Sequence, residues 1–457
     1  MRFMTADNAD HDSALEKLYP RHIETLCARH DHALEQAGAR HVVIFSGMPK
    51  TAFFDDAHYP FVANPHFLSW VPLTNVPLSL ILYTPGETPI LVYYQPRDYW
   101  HVVPGEPAGY WTREFEIRVV HTLEALIANL PQHREQCILI GEIDADTPAF
   151  GIERVNPGKA INELHFARGI KTDYEIACLR VAAQRGARGH AAAEAAFRNG
   201  ASEFDIHCAY CQAVGHTDNE LPYENIIALN EHGAVLHYSG RDREPPRDTH
   251  SFLIDAGARF NGYASDITRT YAYRDTRFAE LIIHMDRMQQ EIVSMIQPGV
   301  NYSELHLQSH HLLAELLVET GFAVGSPATL IATDVTTAFF PHGLGHLLGI
   351  QVHDVAGHMI DAAGTILDPP SGHPFLRLTR TLTENMVLTI EPGLYVIDML
   401  LENLRGTPGE HHVNWDSVDW LRPFGGIRIE DDVCVTAFGC ENLTRDAFTA
   451  MDQHVAP

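Results

Sequence analysis

The spacing of apolar residues changes along the chain, and the changes divide it. Residues 14–37 carry apolar side chains at helical spacing and lead into a β-branched run, HVVIF, at 41–45. LSLILYT (78–84), PILVYY (89–94) and CILIGEI (137–143) read as further buried strands, with a second helical pattern at 121–130. This alternation predicts an α/β domain with its own core. An Ala-rich helical stretch then runs to Gly200, a residue suited to close it. Thr172 and Glu175, in GIKTDYE, have the spacing of a capping box, and we set the boundary just before them: domains 1–168 and 169–457. Beyond it, helices are expected over 275–296 and 302–320, alternating with strand pairs. The Pro-bearing stretch 357–376 reads as a surface loop and 401–420 as an irregular insertion.

At 457 residues, with 45% hydrophobic and 20% charged, the chain has the composition of a globular enzyme of two or three domains. A formal charge of −27 opposes binding to phosphate backbones or anionic lipid, so neither nucleic acid nor membrane is an expected partner. The first twenty residues hold three Asp and no apolar run, so no secretory leader is read there, and no stretch is long enough to span a bilayer. Seven scattered cysteines make no disulfide framework. Cys208 and Cys211 form a CxxC within a helix-like run with no second pair, which favours ordinary helix cysteines over a zinc or redox site. The cytoplasm is the default compartment.

Candidate chemistry begins at SFLIDAGARFNGYASDITRTY (251–271). Asn261-Gly262 favours a two-residue type I′ turn between β-rich runs. Counting outward from that turn sets Asp255 opposite Thr268 and Asp266 opposite Gly257, which makes Asp255 and Asp266 diagonal neighbours on one face. Such neighbours lie roughly 7–8 Å apart, close enough to meet one ion, although a one-residue slip would separate them. In FFPHGLGHLLGIQVHD (339–354), His342, His346 and His353 sit among glycines and apolar residues. Glu391 interrupts the strand-like VLTIEPGLYVI, and in GGIRIEDDVCV Arg428 and Glu430 share one face while Ile427 and Ile429 take the other. Any one of these acids is explained by a salt bridge. Together, so many acids in apolar text, each costly to bury alone, are more simply explained by a metal site. Four carboxylates and one imidazole favour Mn2+, with Co2+ or Fe2+ as alternatives, over structural zinc. Two divalent ions balance four carboxylates where one would be over-neutralised.

These segments, in this order and spacing, resemble those of the pita-bread metallopeptidases. Over nearly its whole length, including YPFVANPHFLSWVPL (59–73), the chain resembles the bacterial Xaa-Pro dipeptidases (prolidases), among them members described as organophosphorus acid anhydrolases. The resemblance implies a mixed-sheet α/β N-terminal domain, a C-terminal pita-bread domain and a homodimer. It implies two divalent ions, with Asp255 on the first, Asp266 and Glu430 bridging, and His346 and Glu391 on the second. Glu391 would also carry a proton from a bridging hydroxide to the departing nitrogen, and His342 would steady the tetrahedral intermediate. Arg428 matches an arginine behind the ligands. His237, His353 and Arg377 match positions that hold the dipeptide's carboxylate, and Arg380 competes with Arg377 for that role. Tyr223 and Tyr302 match pocket-lining positions, and Asp56 and Trp100 positions that help close a neighbouring subunit's pocket. The count of 29 histidines, with Leu347 and Ala356 beside the site, departs from closer relatives and bears on substrate range.

The expected reaction is hydrolysis of Xaa-Pro dipeptides, with organophosphorus P–F or P–O cleavage as a side activity. The alternatives are an Xaa-Pro aminopeptidase acting on longer peptides and a metal-free peptide-binding pseudoenzyme or creatinase-like hydrolase. Five intact ligand residues weigh against the metal-free readings.

Overall fold

The computed structural model describes residues 6–455; residues 1–5, part of the opening stretch read for a leader, lie outside them. Contacts divide the chain into two units, Met1–Ala177 with Asp361–Thr365, and Cys178–Ile360 with Ile366–Pro457. The division falls inside the helix Asp173–Arg198, past the expected boundary at 168/169. A short return of the 357–376 loop joins the first unit. The capping box is present: Thr172 N–H donates to Glu175 Oε2 at 2.8 Å and Glu175 N–H to Thr172 Oγ1 at 3.3 Å.

In the first unit the four expected strands lie side by side with a fifth, Glu116–Val120, in the order 116–120, 90–94, 80–83, 41–45, 137–140. The sheet is mixed: 41–45 runs parallel to 137–140, and 90–94 to 116–120, while the central pairings are antiparallel. The fifth strand, EIRVV, escaped the reading because Glu116 and Arg118 break its apolar pattern, as an edge strand permits.

In the second unit the strand Ser251–Asp255 sits between Ile226–Leu229 and Thr268–Ala272. A second trio joins Val387–Ile390, Asp431–Thr436 and Gly439–Asn442, and a pair joins Gly393–Tyr395 to Gly426–Arg428. Isolated bridges from Thr268 to Glu430 and from Leu347 to Leu388 stitch these together. Helices Thr276–Ser294 and Tyr302–Glu319 cover the strands, packing Phe278, Met285, Leu313 and Leu317 against Leu388, Ile390, Ile427 and Ile429. The 401–420 stretch corrects the expectation of an irregular insertion. It forms helices Asp398–Leu404 and Trp415–Leu421 with a 3-10 turn between, because Leu401, Leu404, Val418 and Leu421 recur at helical spacing and are buried. None of the seven cysteines is in a disulfide among the described residues. Among the described residues no helix is long and apolar enough to cross a membrane.

Candidate active site

The hairpin fixes the first ligand-type residues. Asn261 (φ 51°) and Gly262 (φ 92°) take the left-handed conformations a type I′ turn requires. Phe260 faces Tyr263, and the same register persists outward to set Asp255 opposite Thr268. Gly257 lets this happen: a Cβ there would sit 2.0 Å from the Ser265 carbonyl oxygen. Asp266 N–H donates to both carboxylate oxygens of Asp432, at 3.1 and 3.2 Å.

The remaining candidates arrive from separate segments. Glu430 donates its N–H to the Thr268 carbonyl, and its Oε2 accepts from the Thr268 hydroxyl at 2.7 Å. Glu391 leaves the strand Val387–Ile390 with its N–H on the Leu344 carbonyl at 2.9 Å. His346 is laddered to Thr389. This close approach needs Gly345, where a Cβ would stand 2.1 Å from the Thr389 carbonyl oxygen. His346 Nδ1 lies 3.0 Å from the Leu347 carbonyl, which only accepts; Nδ1 therefore carries a proton, and Nε2 is the atom that faces the acids. Nε2 is 3.3 Å from Asp266 Oδ2 and 3.8 Å from Glu391 Oε1. Asp266, His346 and Glu430, all buried, each offer one ligand atom within 4.8 Å of the others. Asp255 stands outside that trio, held by Arg428 Nη2 at 2.7 Å and by the Tyr223 hydroxyl at 2.8 Å.

Electrostatics tests whether these groups suit cations. Four acids, Asp266 and Glu430 buried and Asp255 and Glu391 nearly so, face one guanidinium and one imidazole. Burial, with the charges of Asp266 and Asp255, pushes Glu391 up to about 7 against the pull of His346 and Arg428. Burial and its acidic neighbours push Glu430 well above its ordinary value, and burial raises Asp255 despite Arg428. Burial opposes ionisation of Asp266 too, but the hydrogen bond and charge of His346 prevail and hold it below its usual value. A cluster that gathers protons for want of positive charge, with oxygen-rich donors, fits hard divalent ions.

Behind the ligands runs a hydrogen-bonded chain. Arg428 touches Asp255, donates from Nε to Thr268 Oγ1 at 3.3 Å, and donates from Nη1 to the Tyr395 hydroxyl at 3.0 Å. That hydroxyl lies 2.8 Å from His342 Nε2, while His342 Nδ1 meets the Gly343 carbonyl at 2.8 Å. Burial and the Arg428 charge push His342 down to about 3, so the ring is neutral with its proton on Nδ1. Arg428 is 4% exposed and makes these contacts from behind the ligand-type residues. Tyr395, Thr268, Thr389 and Asp432 were not singled out from sequence. Thr268 had a signal, its place opposite Asp255; the others depend on contacts between distant segments.

The outer residues separate. His353 packs edge-on against the His346 ring at 4.4 Å, and burial followed by the His346 and Arg377 charges pushes it down to about 4. His237 and Arg377 are exposed, and the charge of His237 reaches both His342 and His353. Arg380 is 5% exposed, and its carbonyl accepts from Tyr302 N–H. Tyr223 reaches Asp255. Tyr302, expected on the pocket wall, is instead sealed in the core, where its hydroxyl donates to the Thr389 carbonyl at 2.8 Å because it opens the helix packed behind that strand. Leu347 is likewise fully buried, so it does not face a substrate. Asp56 and Trp100 are exposed on loops of the first unit.

Comparison with known proteins agrees with this geometry. The profile described as "Xaa-Pro dipeptidase, N-terminal domain" matches residues 17–166, and that of metallopeptidase family M24 matches residues 177–437. The chain belongs to metallopeptidase family M24. An Xaa-Pro dipeptidase of Xanthomonas euvesicatoria pv. vesicatoria is 50% identical over 438 residues, covering 96% of this chain and 99% of the relative. One of Stenotrophomonas maltophilia is 50% identical over 434 residues, covering 95% and 98%. Among solved structures, Escherichia coli aminopeptidase P with the inhibitor Pro-Leu superposes with a TM-score of 0.70 at 22% identity, covering 96% of this chain and 99% of that one. This M24 member thus has the pita-bread fold.

Proposed function

We propose that this M24 member is a two-metal Xaa-Pro dipeptidase. The observation that carries the reading is the buried trio Asp266, His346 and Glu430, bordered by Glu391 and Asp255, in a chain half identical to proteins of that name. Asp255 and Asp266 would hold one ion, Glu391 and His346 the other, with Asp266 and Glu430 shared, and Mn2+ suits this oxygen-rich set. When bound, two such ions polarise the scissile carbonyl and supply a hydroxide at neutral pH.

The chain's own groups do the rest. The prolyl amide has no N–H to be recognised, and, as in any amide hydrolysis, its nitrogen must take a proton as the C–N bond breaks. Glu391, between His346 and a His342 ring nitrogen 3.7 Å away, would deliver it. For His342 to donate to a developing oxyanion, it must carry its proton on Nε2 and release Tyr395. Arg377 is exposed and its charge, like that of His237, acts on His353, which favours it for the carboxylate clamp over buried Arg380. Such a clamp one residue past the cut excludes longer peptides. The free cysteines accord with a reducing cytoplasm, and light scattering tests the homodimer.

The decisive assay offers chelator-stripped protein Gly-Pro and Gly-Pro-Ala before and after Mn2+ is restored. Metal-dependent cleavage of the dipeptide alone is expected; comparable kcat/KM on the tripeptide would make this an aminopeptidase. Arg377→Ala should raise KM for Gly-Pro about tenfold or more with little change in kcat, consistent with loss of a charge-assisted contact worth about 1.5–3 kcal/mol. Release of fluoride from a P–F ester measures the side activity.

A further inference from the structure

Three histidines away from the acidic centre lie close together. His306 and His310, one turn apart on Tyr302–Glu319, project from the same face of that helix, and His373 comes from the turn between Pro370 and Leu376. The ring centroids form a near-equilateral triangle: 4.8 Å for 306–310, 4.6 Å for 306–373 and 4.6 Å for 310–373. Each offers a nitrogen within 4.8 Å of the other two. His306 and His310 are each 1% exposed, yet neither ring nitrogen of either has a hydrogen-bond partner among the described residues. Other buried histidines differ. His30 and His190 leave one nitrogen unsatisfied but bond the other to a backbone carbonyl. A neutral imidazole carries one N–H and one lone pair, and burying both unmet on two touching rings sacrifices water's hydrogen bonds for nothing. Burial first, then the neighbouring imidazoles, push His306 down to about 2 and His310 to about 3, which keeps their lone pairs free.

We infer that His306, His310 and His373 form a third metal site that takes one Zn2+. Three neutral nitrogens suit a borderline ion, whereas the acidic centre suits harder ones, so the two sites select differently. A tetrahedral zinc with Zn–N of about 2.0–2.1 Å needs nitrogens about 3.3–3.4 Å apart, a small contraction that the turn bearing His373 can supply. His373 lines a cavity of about 480 Å³ together with Asp334, Phe340 and His342, from which a water could complete the coordination. The ion would tether the 370–376 turn to the helix.

The test counts zinc in native mass spectra of the full chain, stripped by chelator and reloaded with Zn2+. Unmutated protein is expected to carry three ions and His310→Phe two. With the acidic centre disabled by Asp266→Asn and Glu430→Gln, one ion should remain, and adding His310→Phe should remove it, with circular dichroism confirming the fold throughout. A folded Asp266→Asn/Glu430→Gln protein that binds no zinc, or a His310→Phe chain that holds as many ions as its parent, overturns the assignment. If the double variant does not fold, zinc-edge anomalous scattering from crystals of the unmutated protein decides. A peak between the three rings is expected, and its absence refutes the site.

Discussion

Two buried clusters of ligand-type side chains lie in the same unit and have opposite character. The acidic centre is over-supplied with negative charge and bound into a hydrogen-bond network reaching from Thr268 through Arg428 and Tyr395 to His342. The histidine triangle is uncharged, and among the described residues neither ring nitrogen of its two helical members has a hydrogen-bond partner. The first is oriented before any ion arrives, so what an ion supplies there is charge. The second lacks bonds, and an ion supplies those. Buried polarity that is unpaid for therefore takes two forms, and each points to a different class of cation.

The largest effect expected is from Glu430→Gln, which removes the carboxylate proposed to be shared by both ions. Metal retention and kcat/KM on Gly-Pro should collapse by about a thousandfold or more, the loss of roughly 4 kcal/mol of transition-state stabilisation. If turnover survived, the contrast between the clusters would lose its functional half.

Next comes Arg428→Met. It strands Asp255 in the interior without its partner, so metal-free protein should lose about 3–5 kcal/mol in urea denaturation. Restoring metal should recover part of this, because a cation replaces the missing charge.

A third effect is read from pH. Glu391 holds its proton to about 7 in the folded chain against 4.5 for the unfolded group. Between those values the native state binds more protons, so this group's contribution to stability is present at low pH and is lost as pH rises towards 7, by at most about 3 kcal/mol. Buried histidines such as His342, held down to about 3, push the other way, so the effect is read as a difference. Stripped unmutated protein should lose stability relative to stripped Glu391→Gln as pH rises from 5 to 7, and Mn2+ should remove that trend. A difference between the two proteins that does not change with pH would mean that Glu391 is not holding a proton.

The smallest effect is the most discriminating between the clusters. Without zinc, His310→Phe should change stability by no more than about 1 kcal/mol, or stabilise, since an unsatisfied ring gives way to an apolar one of similar shape. Thermal melts of stripped protein measure it; a large loss would show that the imidazoles are satisfied after all.

Legibility in the sequence followed the range of the interactions. Asn261-Gly262 carried the register of a whole hairpin, because a two-residue turn leaves one pairing, and that register predicted which face Asp255 and Asp266 share. Ile427 and Ile429 against Arg428 and Glu430 were equally plain, since strand alternation is local. Tyr395 was not legible, because its value lies in meeting Arg428 and His342 from other segments. Neither was the histidine triangle: His306 and His310 are ordinary in so His-rich a chain until His373 is seen against them. Tyr302 was misplaced because a motif position says which residue is near a site but not whether it stands before or behind the ligands. The 398–421 helices were missed because short amphipathic turns resemble loops.

Asp255 and Asp266 share one hairpin, but His346, Glu391 and Glu430 are delivered by three other stretches of chain, and Thr268 bridges to one of them across the sheet. No fragment, and no partly assembled intermediate, possesses the full set. Tight ion retention is therefore the last property this polypeptide acquires on folding and the first it forfeits when any of those stretches is cut or loosened, which makes bound metal a gauge of whether the whole unit is intact.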